Sequence, residues 1–234
     1  MRYVEAYKNG EDNGWIHKQN FWFDPEHEHG FGIVDLDSIY PREYFKHDHV
    51  QAQTVDNYCK FIAEIFKSTT GQDLTNLIEF GSAGGWFLKR FLDMGINAVG
   101  LEGTKAGIEA CIKRGIPKRA IEQHDFRNPL EESKTWQVAL CTEVAEHIEP
   151  PFSSVLVKSL VDSSDWIWFS FEEPNTNPAH IHHPNEMPAK FWINLFDFYG
   201  FKAWQLPEWV TGQTEGRGMY VFYNPETYDF SKLS

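Results

Sequence analysis

From about residue 51 onward, two hydrophobic rhythms alternate along the chain. Brief, nearly continuous apolar runs, Leu77–Phe80, Asn97–Leu101, Ala120–Gln123, Gln137–Cys141 and Trp166–Phe171, read as buried parallel strands. Between them, apolar residues recur at three and four, which predicts helices near 84–93, 104–114, 151–162 and 187–199. An earlier helix runs from a capping Thr54 to about Lys67, with Val55, Tyr58, Phe61, Ile62, Ile65 and Phe66 on one face. Strand and helix in alternation predict an α/β domain, a mostly parallel sheet covered on both faces. Two last strands, Phe201–Gln205 and Met219–Tyr223, are separated by Pro207, Gly212, Gly216 and Gly218.

Residues 1 to about 50 break this rhythm. They carry Trp15, Phe21, Trp22, Phe23, Phe31, Tyr40, Tyr44 and Phe45 among acids and histidines, with no sustained period. Such a segment is too aromatic for a disordered tail. It is expected to cap the main domain, residues 51–234, or to mediate homodimer contacts. Its histidines, His17, His27, His29, His47 and His49, lack paired ligand spacing and read as surface or cap residues.

Composition narrows the classes. With a net charge of −13 across 234 residues, the chain is not expected to seek phosphate backbones, so no nucleic-acid partner is expected. The one basic cluster, Lys113-Arg114 and Lys118-Arg119, reads as a solvated helix end. Three cysteines, Cys59, Cys111 and Cys141, fall inside predicted elements without metal spacing, as reduced core thiols do. Neither a signal peptide nor a long apolar run is visible, so the expectation is a soluble, cytoplasmic protein with no membrane partner.

The chemistry gathers at strand ends. Leu77–Phe80 stops in Gly81-Ser82-Ala83-Gly84-Gly85 and a helix pattern opens at once, which brings bare backbone and a helix N-terminus toward a ligand. The next strand ends in Glu102, placed to take a ribose diol, so a nucleoside cofactor is the first reading. Ala83 stands where the full dinucleotide fingerprint has glycine. With Glu79, Glu102 and the later Cys141-Thr142-Glu143-Val144-Ala145-Glu146-His147, the set resembles the class I S-adenosylmethionine-dependent methyltransferases, from about Leu77 to Phe201.

That resemblance implies a Rossmann-like, seven-stranded, mostly parallel sheet with helices on both faces and a C-terminal antiparallel hairpin. It implies S-adenosylmethionine as cofactor. Glu79, Gly81, Ser82, Ala83 and Gly85 would hold its methionine end, Glu102 and Gly103 its ribose, and Asp125 and Phe126 its adenine. Thr142 and Glu143 would line the floor between cofactor and acceptor. His147 is open between bracing that loop and taking part in catalysis.

After the fifth strand come Glu172-Glu173-Pro174-Asn175, His180, His182, His183-Pro184-Asn185-Glu186 and Phe191-Trp192. This resembles the His-x-Asn-Glu and aromatic-Trp segment of methyltransferases acting on sugars and other small hydroxylated acceptors. Registered on the aromatic-Trp pair, His183, Asn185 and Glu186 fall on the motif, and His180 and His182 are extra. A histidine on the acceptor side can remove a hydroxyl proton, so His183 is the expected general base, with His147 and Glu143 beside it as catalytic candidates.

The expected activity is therefore methyl transfer to a hydroxyl of a small polar acceptor, such as a sugar or sugar nucleotide. Three alternatives stand. Glu143, Glu146 and His147 with a histidine from 180–183 also resemble the metal set of small-RNA 2′-hydroxyl methyltransferases. A divalent metal is nevertheless not expected, because the Glu-x-x-Glu-His run is common in metal-free relatives and the net charge opposes RNA. A non-catalytic cofactor-binding module is the second alternative. A nicotinamide oxidoreductase is the third, and Glu79 and the 143–147 run speak against it.

Overall fold

A computed structural model of the chain describes residues 16–18, 21–23, 36–40, 42, 44–46, 52–131, 135–174, 183–206 and 217–230. In chain order its elements are a hairpin, β1 (Ile16–Lys18) and β2 (Phe21–Phe23), then helix α1 (Leu36–Ile39) and helix α2 (Ala52–Thr70). There follow β3 (Asn76–Phe80), α3 (Trp86–Asp93), β4 (Asn97–Glu102), α4 (Lys105–Lys113), β5 (Ile121–Gln123) and β6 (Val138–Thr142). The chain continues through α5 (Ser153–Ser163), β7 (Trp166–Glu172), α6 (Ala189–Phe198), β8 (Lys202–Gln205) and β9 (Arg217–Tyr223).

Seven strands form one sheet in the order β5-β4-β3-β6-β7-β9-β8. The first five are parallel. β9 runs antiparallel to both β7 and β8, so the sheet closes in the expected C-terminal hairpin. Order reverses between β3 and β6, and a crevice opens there at the carboxyl ends of two parallel strands.

Side chains alternate between the two faces with the period of two that strands impose. Leu77, Val138, Leu140, Trp166 and Trp168 pack on one face with Cys59, Ile62 and Phe66 of α2, Leu88 and Phe91 of α3, and Cys111 of α4. Ile78, Phe80, Ala139, Cys141, Ile167, Phe169 and Phe171 pack on the other with Leu156, Val157 and Leu160 of α5 and Trp192 and Phe196 of α6. All seven residues of β7 are buried, which is why its sequence is apolar on both faces, apart from Ser170 and the terminal Glu172, rather than alternating. Val55, Cys59, Ile62 and Phe66 recur at four, three and four along α2, the stripe its periodicity predicts.

The short pieces before residue 50 were not individually legible, because elements of three or four residues are too brief to show a period. His27, His29, His47, His49, His180, His182, Asn175 and the stretch from Pro207 to Gly216 lie outside the described residues. Among the described residues, no helix is long and apolar enough to cross a membrane.

Phe169 is fully buried, its ring 5.3 Å from Trp192, 5.2 Å from Phe196 and 5.8 Å from Phe222. Phe169→Ala is expected to cost about 3–5 kcal/mol of stability, read as a lowered midpoint in urea unfolding. A loss below about 1 kcal/mol would mean that these layers are not packed as described.

Candidate active site

The glycine turn is tied to the neighbouring strand before any ligand is considered. The N–H groups of Gly81 and Ser82 both donate to the Leu101 carbonyl, each at 2.9 Å. The Ala83 N–H donates to Glu102 Oε2 at 2.8 Å, and Thr104 donates to Glu102 Oε1 through its N–H at 2.9 Å and its hydroxyl at 2.8 Å. Thr104 also caps α4, its hydroxyl accepting from Gly107 N–H. A Cβ on Gly107 would lie 2.7 Å from Glu102 Cδ, so only glycine lets that carboxylate settle against the first turn of α4. Gly85 starts α3 from the left-handed region at φ 76°, with no side-chain cap. Burial pushes the Glu102 carboxyl above its usual range, against the hydrogen bonds from Thr104 and Ala83 that favour its charge.

A cavity of about 110 Å³ opens at the crevice. Of the expected site residues, Gly81, Ala83, Glu102, Gly103, Phe126, Glu143 and His147 line it. The roof is Leu36, Tyr40, Tyr44 and Phe45, from the segment expected to act as a cap or dimer contact. Asp37 pegs this segment by accepting from the Lys105 N–H at 2.8 Å, at the start of α4, and Arg42 pairs with Glu109 at 2.7 Å. These roof residues and Thr104 were missed from sequence. Aromatic richness marked the segment, but nothing in it marked which rings reach the crevice.

Glu79, Ser82, Gly85, Asp125 and Thr142 do not line the cavity, and neither does His183, which reaches the wall only through its contact with the His147 ring. Glu79 is buried on the α2–α3 face, accepting from the Ser82 hydroxyl at 2.7 Å. Asp125 takes the Arg127 guanidinium at 2.6 to 3.1 Å and the Arg127 N–H at 3.0 Å. Burial opposes its ionisation, but Arg127 outweighs this and holds Asp125 below the usual carboxylate range. The neighbouring Phe126 ring stacks on Phe80 at 5.5 Å and faces the cavity.

The expected acceptor side is assembled from three distant stretches. Glu143, at φ 55°, accepts from the Ser170 hydroxyl at 2.7 Å, so β7 holds the residue that follows β6. Asn185 is buried; its N–H donates to Glu146 O at 3.1 Å and its amide to Ala145 O at 3.2 Å and Ser153 Oγ at 2.9 Å. This locks the loop after β7 onto the turn Ala145–His147. The His183 ring then stands edge-on to His147, centroids 4.6 Å apart. His183 Nδ1 lies 3.3 Å from Glu172 Oε2 and 3.4 Å from Glu186 Oε1, at ion-pair distance. His147 Nδ1 meets the Tyr40 hydroxyl at 2.8 Å. Glu146, His147 and His183 offer ligand atoms that all lie within 4.8 Å of one another. Glu172, the acid that orients His183, was visible only as a carboxylate at a strand end.

Comparison with known proteins agrees with this architecture. Residues 47–160 match the family model described as a methyltransferase domain. DesVI from Streptomyces venezuelae superposes with a TM-score of 0.60 at 15% identity, over 82% of this chain and 99% of that one. The methyltransferase domain of a bacterial Hen1 gives 0.54 at 16% identity, over 74% and 98%. Magnesium protoporphyrin IX methyltransferase (ChlM) from Synechocystis PCC 6803, solved with bound SAH, gives 0.55 at 13%, over 84% and 90%. No curated protein matches by sequence.

Glu79 titrates under the turn that carries the cavity. Burial, with the Glu102 charge adding to it, lifts its carboxyl from 4.5 to about 7 against the Ser82 hydrogen bond. Its folded-state pKa is raised, so its contribution to stability is full below the unfolded value near 4.5 and is lost as pH rises to about 7. Relative to wild type, Glu79→Gln is expected to gain up to about 3 kcal/mol between pH 5 and pH 8, read from urea unfolding. Parallel stability profiles for the two proteins would show that Glu79 does not titrate in this window.

Proposed function

Because residues 47–160 match a methyltransferase domain and the sheet has the fold of methyltransferases, we propose that this chain is a class I S-adenosylmethionine-dependent methyltransferase and that it methylates a hydroxyl of a small polar acceptor, such as a sugar or sugar nucleotide, with His183 as general base. The observation that carries this reading is the placement of His183. Its Nδ1 faces two carboxylates, which leaves Nε2 for a proton, and its ring abuts His147 in the cavity wall.

The residues present fit the cofactor. Glu102 can accept from a ribose diol, Phe126 offers an apolar ring to a base, and the turn Gly81–Ala83 brings bare backbone to the remaining wall. S-adenosylmethionine supplies a methyl on a sulfonium, which is already a good leaving group. What the protein adds is alignment, a base and a site kept from water by the aromatic roof. His183 takes the hydroxyl proton as the oxygen forms its bond to the methyl carbon, and Glu172 and Glu186 steady the imidazolium that results. The carboxylates Glu143, Glu146, Glu172 and Glu186 around this side favour a neutral sugar ring over a phosphate at the point of reaction.

A second reading rests on Glu146, His147 and His183, whose ligand atoms converge within 4.8 Å. One carboxylate and two imidazoles suit a divalent first-row ion, which would lower the pKa of an acceptor hydroxyl. Glu143, the other acid of the run, accepts from Ser170 instead.

Calorimetric titration tests the cofactor. S-adenosylhomocysteine is expected to bind at micromolar Kd and NADH not to bind, with Glu102→Ala weakening the first by tenfold or more. No binding by folded protein would remove the proposal. On a panel of sugars and sugar nucleotides, His183→Gln should keep S-adenosylhomocysteine affinity and lose 10²–10⁴ in turnover, the range of general-base catalysis. Activity abolished by EDTA and restored by a divalent ion would move the assignment to the metal reading; activity retained in EDTA would end that reading.

A further inference from the structure

Tyr40 belongs to the roof, yet its hydroxyl reaches the acceptor side, 2.8 Å from His147 Nδ1. Its ring meets the His147 ring edge-on at 5.7 Å and the Tyr44 ring at 5.1 Å. The segment that carries it is pegged on either side of Tyr40, by Asp37 on the Lys105 N–H and by Arg42 on Glu109. The hydroxyl is therefore delivered to the imidazole by a docked element rather than by a loose side chain.

A phenol is a better proton donor than a neutral imidazole, and an imidazole nitrogen a better acceptor than a phenol oxygen. The favoured arrangement across this contact has Tyr40 donating to Nδ1, which places the His147 ring proton on Nε2. His183 is biased the opposite way. Glu172 Oε2 and Glu186 Oε1 stand at its Nδ1, so a neutral His183 carries its proton there and Nε2 is the unprotonated nitrogen.

We propose that Tyr40 is a positioning residue that holds His147 in the Nε2–H tautomer, so that His147 and His183 form a donor–acceptor pair matched to a hydroxyl. His183 accepts the proton of the acceptor hydroxyl, and His147 donates to a lone pair of the same oxygen. A hydroxyl satisfies both imidazoles at once, while a group that can only donate or only accept leaves one of them unmet, which is a strong basis for discrimination. This rests on the reading of the two histidines as the acceptor side of a methyltransferase.

Long-range ¹H–¹⁵N NMR of the full chain at pH 8, in EDTA and saturating S-adenosylhomocysteine, reads imidazole tautomers directly. His147→Gln and His183→Gln identify the two rings. The expected result is an Nε2–H pattern for His147 and an Nδ1–H pattern for His183. Tyr40→Phe, which keeps the ring and removes the hydroxyl, should move His147 to averaged, mixed-tautomer shifts while changing S-adenosylhomocysteine Kd less than threefold. An Nδ1–H pattern for His147 in the wild type, or unchanged His147 shifts in Tyr40→Phe, would overturn the proposal. Incorporating 3-fluorotyrosine into the wild type, which strengthens the phenol as a donor, provides a readout that needs no variant to fold: His147 shifts must respond. Failure of the methyltransferase reading would instead show as absent S-adenosylhomocysteine binding in the same samples.

Discussion

Everything at this site depends on how the turn after β3 is fastened to the end of β4. Two N–H groups of the turn share the Leu101 carbonyl, and a third reaches the Glu102 carboxylate. Glu102 is held in turn by Thr104, which also caps α4. One carboxylate thus joins the glycine turn, the second strand and the next helix. A parallel pair leaves its strand ends without a hairpin to close them, so such ends must be tied by the segments that follow. Here the tie is made by Glu102, the group proposed to accept from a ribose. The fold and the proposed cofactor site draw on the same few hydrogen bonds, which explains the glycine at position 107, where a Cβ would meet the Glu102 carboxylate.

The acceptor side is built on a different logic. Its parts come from the turn after β6, the loop after β7 and the roof, and none of them is near another in sequence. Buried side-chain hydrogen bonds do the joining: Ser170 to Glu143, and Asn185 to Ala145 and Ser153. A buried polar contact of this kind is worth little on average but costs about 1–3 kcal/mol when one partner is deleted, so it specifies position more than it adds stability. That suits the role proposed for this surface, which is to hold two imidazoles in register for an acceptor.

What was legible in the sequence follows from range. Strands such as Trp166–Glu172 and the stripe on α2 declare themselves because burial repeats at a fixed interval over many residues. Glu102 was legible because the step from one strand end to the next fixes where an acid must stand. The Tyr40–His147 contact spans 107 residues, and no local pattern records it. Asp125 illustrates a different limit. Its place at a strand end was readable, but the claim of Arg127, two residues on, upon its oxygens depends on a side-chain rotamer. His183 was reached by resemblance, whereas the carboxylates that orient it needed coordinates.

The backbone carries a last piece of reasoning. Among the described residues, two that are not glycine have positive φ, Ala83 at 46° and Glu143 at 55°, and both line the cavity. Each follows one of the two strands, β3 and β6, between which the strand order reverses. Such a conformation costs on the order of 1 kcal/mol or more for a residue with a Cβ, and persists only where neighbours over-determine it. Ala83 is over-determined by its N–H on Glu102, and Glu143 by its N–H on Ser170 O and its carboxylate on the Ser170 hydroxyl. The two halves of the site are thus strained in the same sense and restrained in the same way. An alanine where the fingerprint has glycine is therefore tolerated rather than chosen: the carboxylate proposed to take a ribose also holds the turn in the conformation glycine would have adopted freely.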